Sequence, residues 1–448
     1  MLVVGLLATV AAGLGAGVPA THGGRAAVDE PEYLLTALSL WEDRSFDVSD
    51  ELRERRFLPY HDADLPVQTA VRPDGSEISP HDPLLPVLLA VPVGLGGWVA
   101  GKLTLSVLAG ILAALLVWVA VVRFAVPLRI AAPGVALAGC SAPLAVYGQQ
   151  VYPELPAALA VTVAVAALPG RSGARTTAVT AAAITALPWL SVKYVPVAAA
   201  LALVALRRGQ RWALLGLLAA AGAAYVAVHR LVWGGWTVYA SGDHFQGSGE
   251  FGVLGSEPDY VGRTTRLLGL LVDRDFGLGA WQPAWLLLVP AAAALRGTRP
   301  GHRDVLALPL AAGWATATWV ALTMHGYWWP GRQVVVVLPL ALLAILLWAR
   351  DHPRVAVAAA AAGVAYYGVL LVTGWFGDTT WVLSPDDLAL HPPAGLLLPD
   401  DRDLTGLDRV KYAAWALVAA VTVWRTARTA PRTGPPAGRA PAAARTSR

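Results

Sequence analysis

A single cysteine, Cys140, stands in a chain of 448 residues, so no internal disulfide can form. It lies in an apolar run and reads as a small buried residue. Charge is scarce as well: Asp, Glu, Lys and Arg make up 14% of the chain, where a soluble globular domain carries about 25%. That shortage argues against an ordinary soluble enzyme. The net charge of +4 comes mostly from arginines at the ends of apolar segments, so it reports topology and leaves no footprint for nucleic acid. No convincing glycine-rich dinucleotide pattern, P-loop, H-E-x-x-H sequence or internal repeat is present.

Hydrophobic residues are abundant, at 56%, and come in long blocks such as "LTLSVLAGILAALLVWVA" and "VVVVLPLALLAILLWA". Each block approaches the ~20 residues needed to cross a hydrocarbon core. The pattern is that of an all-α, polytopic membrane protein. High Ala, Arg and Gly suggest a GC-rich bacterial genome.

Short arginine-rich stretches should face the cytoplasm. They are Arg123 with Arg129, Arg171 with Arg175, 207–211, 296–303, 349–354 and the tail from Arg425. Between them lie longer, more acidic or more aromatic stretches: 21–82, 147–154, 189–194, 234–278, 324–332 and 375–408. The two classes alternate, which requires about twelve spans with both ends cytoplasmic. The run 83–97 breaks this parity. It is short and holds Pro83, Pro86 and Pro92, each of which removes a backbone donor. It is therefore expected to be a juxtamembrane or re-entrant piece within a first outer region, 21–101. Residues 2–20 have the length of a signal peptide but no basic n-region, and "PATHG" is a poor cleavage site. They are expected to form the first span. A membrane domain of 1–425 would then precede a disordered cytoplasmic tail, 426–448, rich in Pro, Ala and Arg.

The parity places "VDEPEYLLTALSLWEDRSFDV" just outside the first span. Pro31 can open a helix, and Leu34, Leu38 and Trp41 recur at helical spacing. A short amphipathic helix on the membrane surface is expected. Asp29 or Glu30 would serve as an ordinary helix cap, or as a functional carboxylate. A second carboxylate, Glu154 in "YGQQVYPELP", falls on the same outer face at the start of the fourth span. Acidic residues at that depth are costly and often functional.

The order of these motifs resembles the GT-C class of membrane glycosyltransferases, especially the relatives of protein O-mannosyltransferases and of the lipid A aminoarabinose transferase. The resemblance rests on "DEPEYLLTALSLWEDRSFDV", the His/Pro-rich "SPHDPLLPVLLA" (79–90) and "YPE" (152–154). It continues through "LPWLSVKYVP" (187–196), "DRDFGLGAWQPAWLL" (273–287) and "YWWPGRQVVVVLPL" (327–340). It covers roughly residues 1–350 and implies a GT-C-like bundle with outer-face juxtamembrane helices.

What the resemblance implies about function is specific. A sugar would pass from a polyprenyl-phosphate donor to an acceptor hydroxyl, with inversion, on the extracytoplasmic face of the plasma membrane. The acceptor would be an envelope glycan, a lipid or a protein. The hydroxyl must lose a proton as it attacks, and a positioned carboxylate can take it. Asp29 matches the family's general base; Glu30 would support it, and Glu154 would place the acceptor or a cation. The leaving lipid phosphate needs cations, and Lys193 and Arg332 are the candidates, both on the side that basic residues avoid. Arg263 and Arg266 are weaker ones. His81, Tyr327, Trp328 and Trp329 would line the site. No cofactor and no metal are implied, although the carboxylates with His81, Asp82 and His244 have the chemistry for a divalent ion. The Gly/Ser/Asp-rich part of 234–278 would be a mobile cover. The alternative class is a transporter or lipid flippase, which would show charged or broken helices at mid-bilayer and repeats.

Overall fold

A computed structural model describes residues 1–66, 68–170, 173–207, 211–242, 258–382, 392–402 and 404–429. Among them the chain is helical, with isolated bridges and no strand. Three helices are long and apolar enough to cross a membrane: Leu84–Arg123, Arg211–Val232 and Pro353–Trp375. Shorter apolar helices accompany them, including Leu2–Gly15, Leu128–Gly139, Glu154–Ala167 and Arg332–Trp348. The sequence led us to expect about twelve full crossings from its charge alternation. Prolines at the N-caps of helices, at 127, 143 and 153, mark where new helices begin, and π-turns at Val119–Arg123 and Thr316–Val320 close others.

The run 83–97 is helical rather than irregular. Its helix is broken from the next one at Gly96 and Gly97, and Gly97 adopts φ +64°. Only glycine takes that conformation freely, so the two glycines let the chain change direction. The Glu30–Glu42 helix packs on this piece. Trp41 lies so close to Gly94 that a Cβ there would fall 2.1 Å from the indole. The Glu30–Glu42 helix was expected to lie on the surface. Instead most of its first two turns are buried, Leu34 and Leu35 fully, while Trp41 at its far end stays 42% exposed.

The last helix, Gly406–Thr429, carries residues 426–429, which the sequence had assigned to the tail. Residues 430–448, the central part of the 234–278 loop with His244, and 383–391 lie outside the described residues.

Candidate functional site

Asp29 sits at the N-cap of the Glu30–Glu42 helix, yet its carboxylate caps no backbone amide. Glu30 does that work: its Oε2 accepts from the Ala27 amide at 3.1 Å. The residue before Asp29, Val28, has φ +59°. A β-branched residue there is strained by about 1–3 kcal/mol, a cost that persists only where the surroundings over-determine it. The next residue, Asp29, lines a cavity.

That cavity has a volume of about 550 Å³ and is lined by Asp29, His81, Asp82, Lys193, Trp328 and Arg332, among others. The residues come from segments far apart in sequence, each at the start of a helix or a turn. Glu154 opens its helix behind Pro153. Lys193 lies in the single turn Val192–Tyr194. Arg332 follows Gly331, whose φ of +85° makes the left-handed turn that starts the Arg332–Val337 segment.

Arg332 is the hub. Its Nη2 donates to Asp29 Oδ2 at 2.5 Å and its Nε to Glu154 Oε1 at 3.0 Å. The Lys193 ammonium donates to the same Glu154 oxygen at 2.7 Å. The Arg332 guanidinium also lies 4.1 Å from the Tyr152 ring centroid and 5.2 Å from that of Trp328. A cation at a helix N-terminus opposes the macrodipole, so Arg332 and Lys193 depend on the two carboxylates to hold them there. Arg332 is 8% exposed while the Lys193 side chain is 22% exposed. Lys193 is thus the more accessible cation on the wall. Glu154 is itself fully buried behind that wall. Its Oε2 has no hydrogen-bond partner among the described residues.

Histidine and further carboxylates complete the wall. His81 Nε2 stands 3.7 Å from Asp29 Oδ1. Asp82 accepts from the Val192 amide at 3.1 Å, and burial pushes its carboxyl up to about 7. Burial also raises Glu32, one turn into the helix from Asp29.

Seven of the residues singled out in the sequence thus meet at one cavity: Asp29, His81, Asp82, Lys193, Tyr327, Trp328 and Arg332. Glu154 joins them through its ion pairs. Glu30 and Trp329 do not. Glu30 is directed into the protein, toward the Val151 amide at 2.8 Å and Lys102 at 3.5 Å. Trp329 is fully buried against Trp281 and Trp381, so it belongs to the core rather than to an aromatic wall. Arg263 and Arg266 are committed elsewhere. They donate to the carbonyls of Trp319, Ala321 and Leu322, and so hold the backbone that forms the far side of the cavity.

Three residues escaped the sequence reading. Tyr152 stacks under Arg332, and its place in "YPE" was a usable signal. Tyr33 lines the cavity one turn after Asp29, at a spacing that pointed the same way. Lys102, fully buried in an apolar run, was the missed charge. Asp43, Asp50 and Glu51 bring ligand atoms within 4.8 Å of one another. That group lies at the other end of the Glu30–Glu42 helix, about 20 Å away by helix rise, and offers nothing to the cavity. Comparison with family models, with curated proteins and with solved structures returned no match in any of the three.

Proposed function

We propose that this chain is a membrane glycosyltransferase of the GT-C class, with about twelve spans by charge alternation. It would use a polyprenyl-phosphate sugar and transfer on the extracytoplasmic face. The observation that carries the reading is the Arg332 hub: one guanidinium joins Asp29 and Glu154, with Lys193 beside it, on the wall of a single cavity. Its volume of about 550 Å³ falls within the roughly 300–1,000 Å³ usual for small-molecule sites.

The chemistry follows from the charges. The donor phosphate competes for Arg332 and Lys193, which answer the charge that grows on the leaving group. As Arg332 turns to the phosphate, Asp29 loses its counter-ion and becomes more basic. It then takes the proton of the acceptor hydroxyl as the new bond forms at the anomeric carbon. Tyr327 and Trp328 offer aromatic faces to the sugar.

The test is a transfer assay in membranes with a panel of radiolabelled polyprenyl-phosphate sugars. Transfer by the parent chain, lost in Asp29→Asn, is the expected result. A correctly inserted parent chain that uses no donor in the panel, or full transfer by Asp29→Asn, would sink the reading.

A further inference from the structure

Four acidic residues gather where the Glu30–Glu42 helix gives way to the short helix Ser49–Arg53: Asp43, Asp47, Asp50 and Glu51. Asp47 fixes the backbone. Its Oδ1 accepts from the Ser49 amide at 3.1 Å and from the Glu77 amide at 2.8 Å. The other three meet one another. A carboxylate oxygen from each of Asp43, Asp50 and Glu51 lies within 4.8 Å of the other two. Among the described residues, no lysine, arginine or histidine forms a salt bridge with any of the three. Arg55 is paired with Asp64, and Arg56 with Glu42 and Glu54.

Glu51 is the costly member of this group. It is 2% exposed, and its Oε2 has no hydrogen-bond partner among the described residues. A buried charge is stable only when it is paired or bound to a metal. Burial, with Asp50 and Asp43 beside it, pushes the Glu51 carboxyl up to about 8. A third negative charge at this place therefore needs a cation to share it.

The backbone that carries the three side chains is already tied. The Asp43 amide donates to the Ser39 carbonyl at 2.8 Å and so closes the Glu30–Glu42 helix. The buried Ser39 hydroxyl donates to the Asp47 carbonyl at 2.6 Å and lies 3.1 Å from that of Ser45. The Val48 amide donates to the Glu77 carbonyl at 2.8 Å. Ligands held on so firm a link lose little further freedom when they bind.

We propose that Asp43, Asp50 and Glu51 bind a calcium ion that clamps the end of the Glu30–Glu42 helix to the Ser49–Arg53 helix. The donors are all carboxylate oxygens, which suit a hard cation and not zinc or copper. Calcium–oxygen distances of about 2.3–2.6 Å set two oxygens on one ion up to about 5 Å apart, and the three side chains fall within that limit. Magnesium keeps most of its water and takes one or two carboxylates, so three from the protein favour calcium. Asp43 is exposed and Asp50 half-buried, which leaves one side of the ion open to water for its remaining ligands. The group stands at the opposite end of the helix from Asp29. The ion is therefore structural, and its binding does not depend on the glycosyltransferase reading.

The experiment uses the full-length chain in phosphatidylcholine nanodiscs, stripped with a chelator and then titrated with calcium chloride at constant ionic strength. Tryptophan-sensitised terbium emission, displaced by calcium, reads binding, and thermal melting reads the clamp. Half-saturation is expected at about 10⁻⁴–10⁻³ M calcium, the range of extracellular modules. Calcium at ten times the parent Kd should raise the parent melting temperature by about 1–3 °C. Glu51→Gln and Asp50→Asn should each weaken calcium binding by about tenfold or more and cut that rise to less than half. Asp64→Asn, a carboxylate outside the group, should change neither reading. If Glu51→Gln does not fold, Asp43→Asn, at an exposed position, gives the same test. A parent chain that melts alike in calcium and in chelator overturns the site. So does a rise that survives in all three carboxylate variants. A rise as large with magnesium overturns the assignment to calcium.

Discussion

Asp29 and Glu30 are adjacent in the chain and meet two different kinds of ion cluster. Asp29 opens on the cavity, with Arg332, Glu154 and Lys193 around it. Glu30 is sealed: it is 1% exposed, and its counter-ion Lys102 is fully buried. Lys102 also donates to Gln149 Oε1 at 3.3 Å. The sealed cluster ties the start of the Glu30–Glu42 helix to the 149–151 turn, the same turn that delivers Tyr152 and Glu154 to the open one. A buried pair gains little net stability but costs heavily when one partner is removed. The comparison suggests a division of labour. The inner carboxylate fixes the distance between two segments, and the outer one is left with chemistry to do.

The sharpest way to break that comparison is to neutralise each carboxylate in turn. Asp29→Asn keeps nearly the same volume and should reduce transfer by about 10²–10⁴-fold, with a smaller loss of stability than Glu30→Gln, because Arg332 keeps Glu154 as a counter-ion. Glu30→Gln should do the reverse. It leaves Lys102 without its counter-charge, a loss of about 3–5 kcal/mol, while activity per folded molecule stays near the parent's. If Glu30→Gln abolishes transfer in fully folded protein, the division is wrong. Lys102→Met tests the sealed cluster from its other side, with a similar loss of stability from denaturant or thermal melts. The double change Glu30→Gln with Lys102→Met should recover at least half of that loss, because no unpaired charge remains. A double variant less stable than either single one would show that the pair is not a unit.

Asp82 offers a milder contrast within the open wall. Its carboxyl is held near 7 by burial, against an ordinary value of 3.8. The folded state therefore keeps a proton that the unfolded state loses. That contribution to stability is fully present below about pH 4 and disappears as pH rises to about 7. Asp82→Asn cannot ionise, so the variant should gain on the parent across this window and run parallel to it above pH 7. Melting temperatures from pH 4 to pH 8 give the check, and curves parallel throughout would show that Asp82 ionises freely in the fold. The comparison must be variant against parent, since Glu32 and Glu51 are also raised by burial.

Charge and motif order made much of the site legible before any coordinates. Asp29, Glu154, Lys193 and Arg332 stood out because each is an ionisable residue at the edge of an apolar run, where burial is expensive and demands a reason. The Gly96–Gly97 break was foreshadowed by the short, proline-rich run before it. Partnership was harder to read. Nothing in "DEPE" says which carboxylate faces inward; that is set by the positive φ of Val28 and by Lys102, over seventy positions away. Nor does spacing separate neighbouring tryptophans in "YWWPG". Where each helix ends was harder to read than where an apolar run lies: hydropathy sees the run, while the π-turns that close Leu84–Trp118 and Pro300–Ala315 leave no mark on it.

Those tryptophans repeat the carboxylate contrast on a smaller scale and give the smallest effect. Trp328 lines the cavity, with the Arg332 guanidinium 5.2 Å from its ring centroid, whereas Trp329 is fully buried between Trp281 and Trp381. A cation near an aromatic face gains about 0.5–2 kcal/mol. Trp328→Leu removes that gain and the aromatic surface offered to the sugar, but leaves the ion pairs of Arg332 in place. The donor KM should rise by about 2- to 30-fold, which is that energy expressed as binding, with kcat and melting temperature close to the parent's. Trp329→Leu should instead lower the melting temperature and leave the donor KM alone, because its ring touches only the core. The pair of variants is read by donor titration and thermal melting in the same detergent. If Trp328→Leu destabilises the fold as much as Trp329→Leu and leaves KM unchanged, the cavity wall at Arg332 is packing and not a sugar-facing surface.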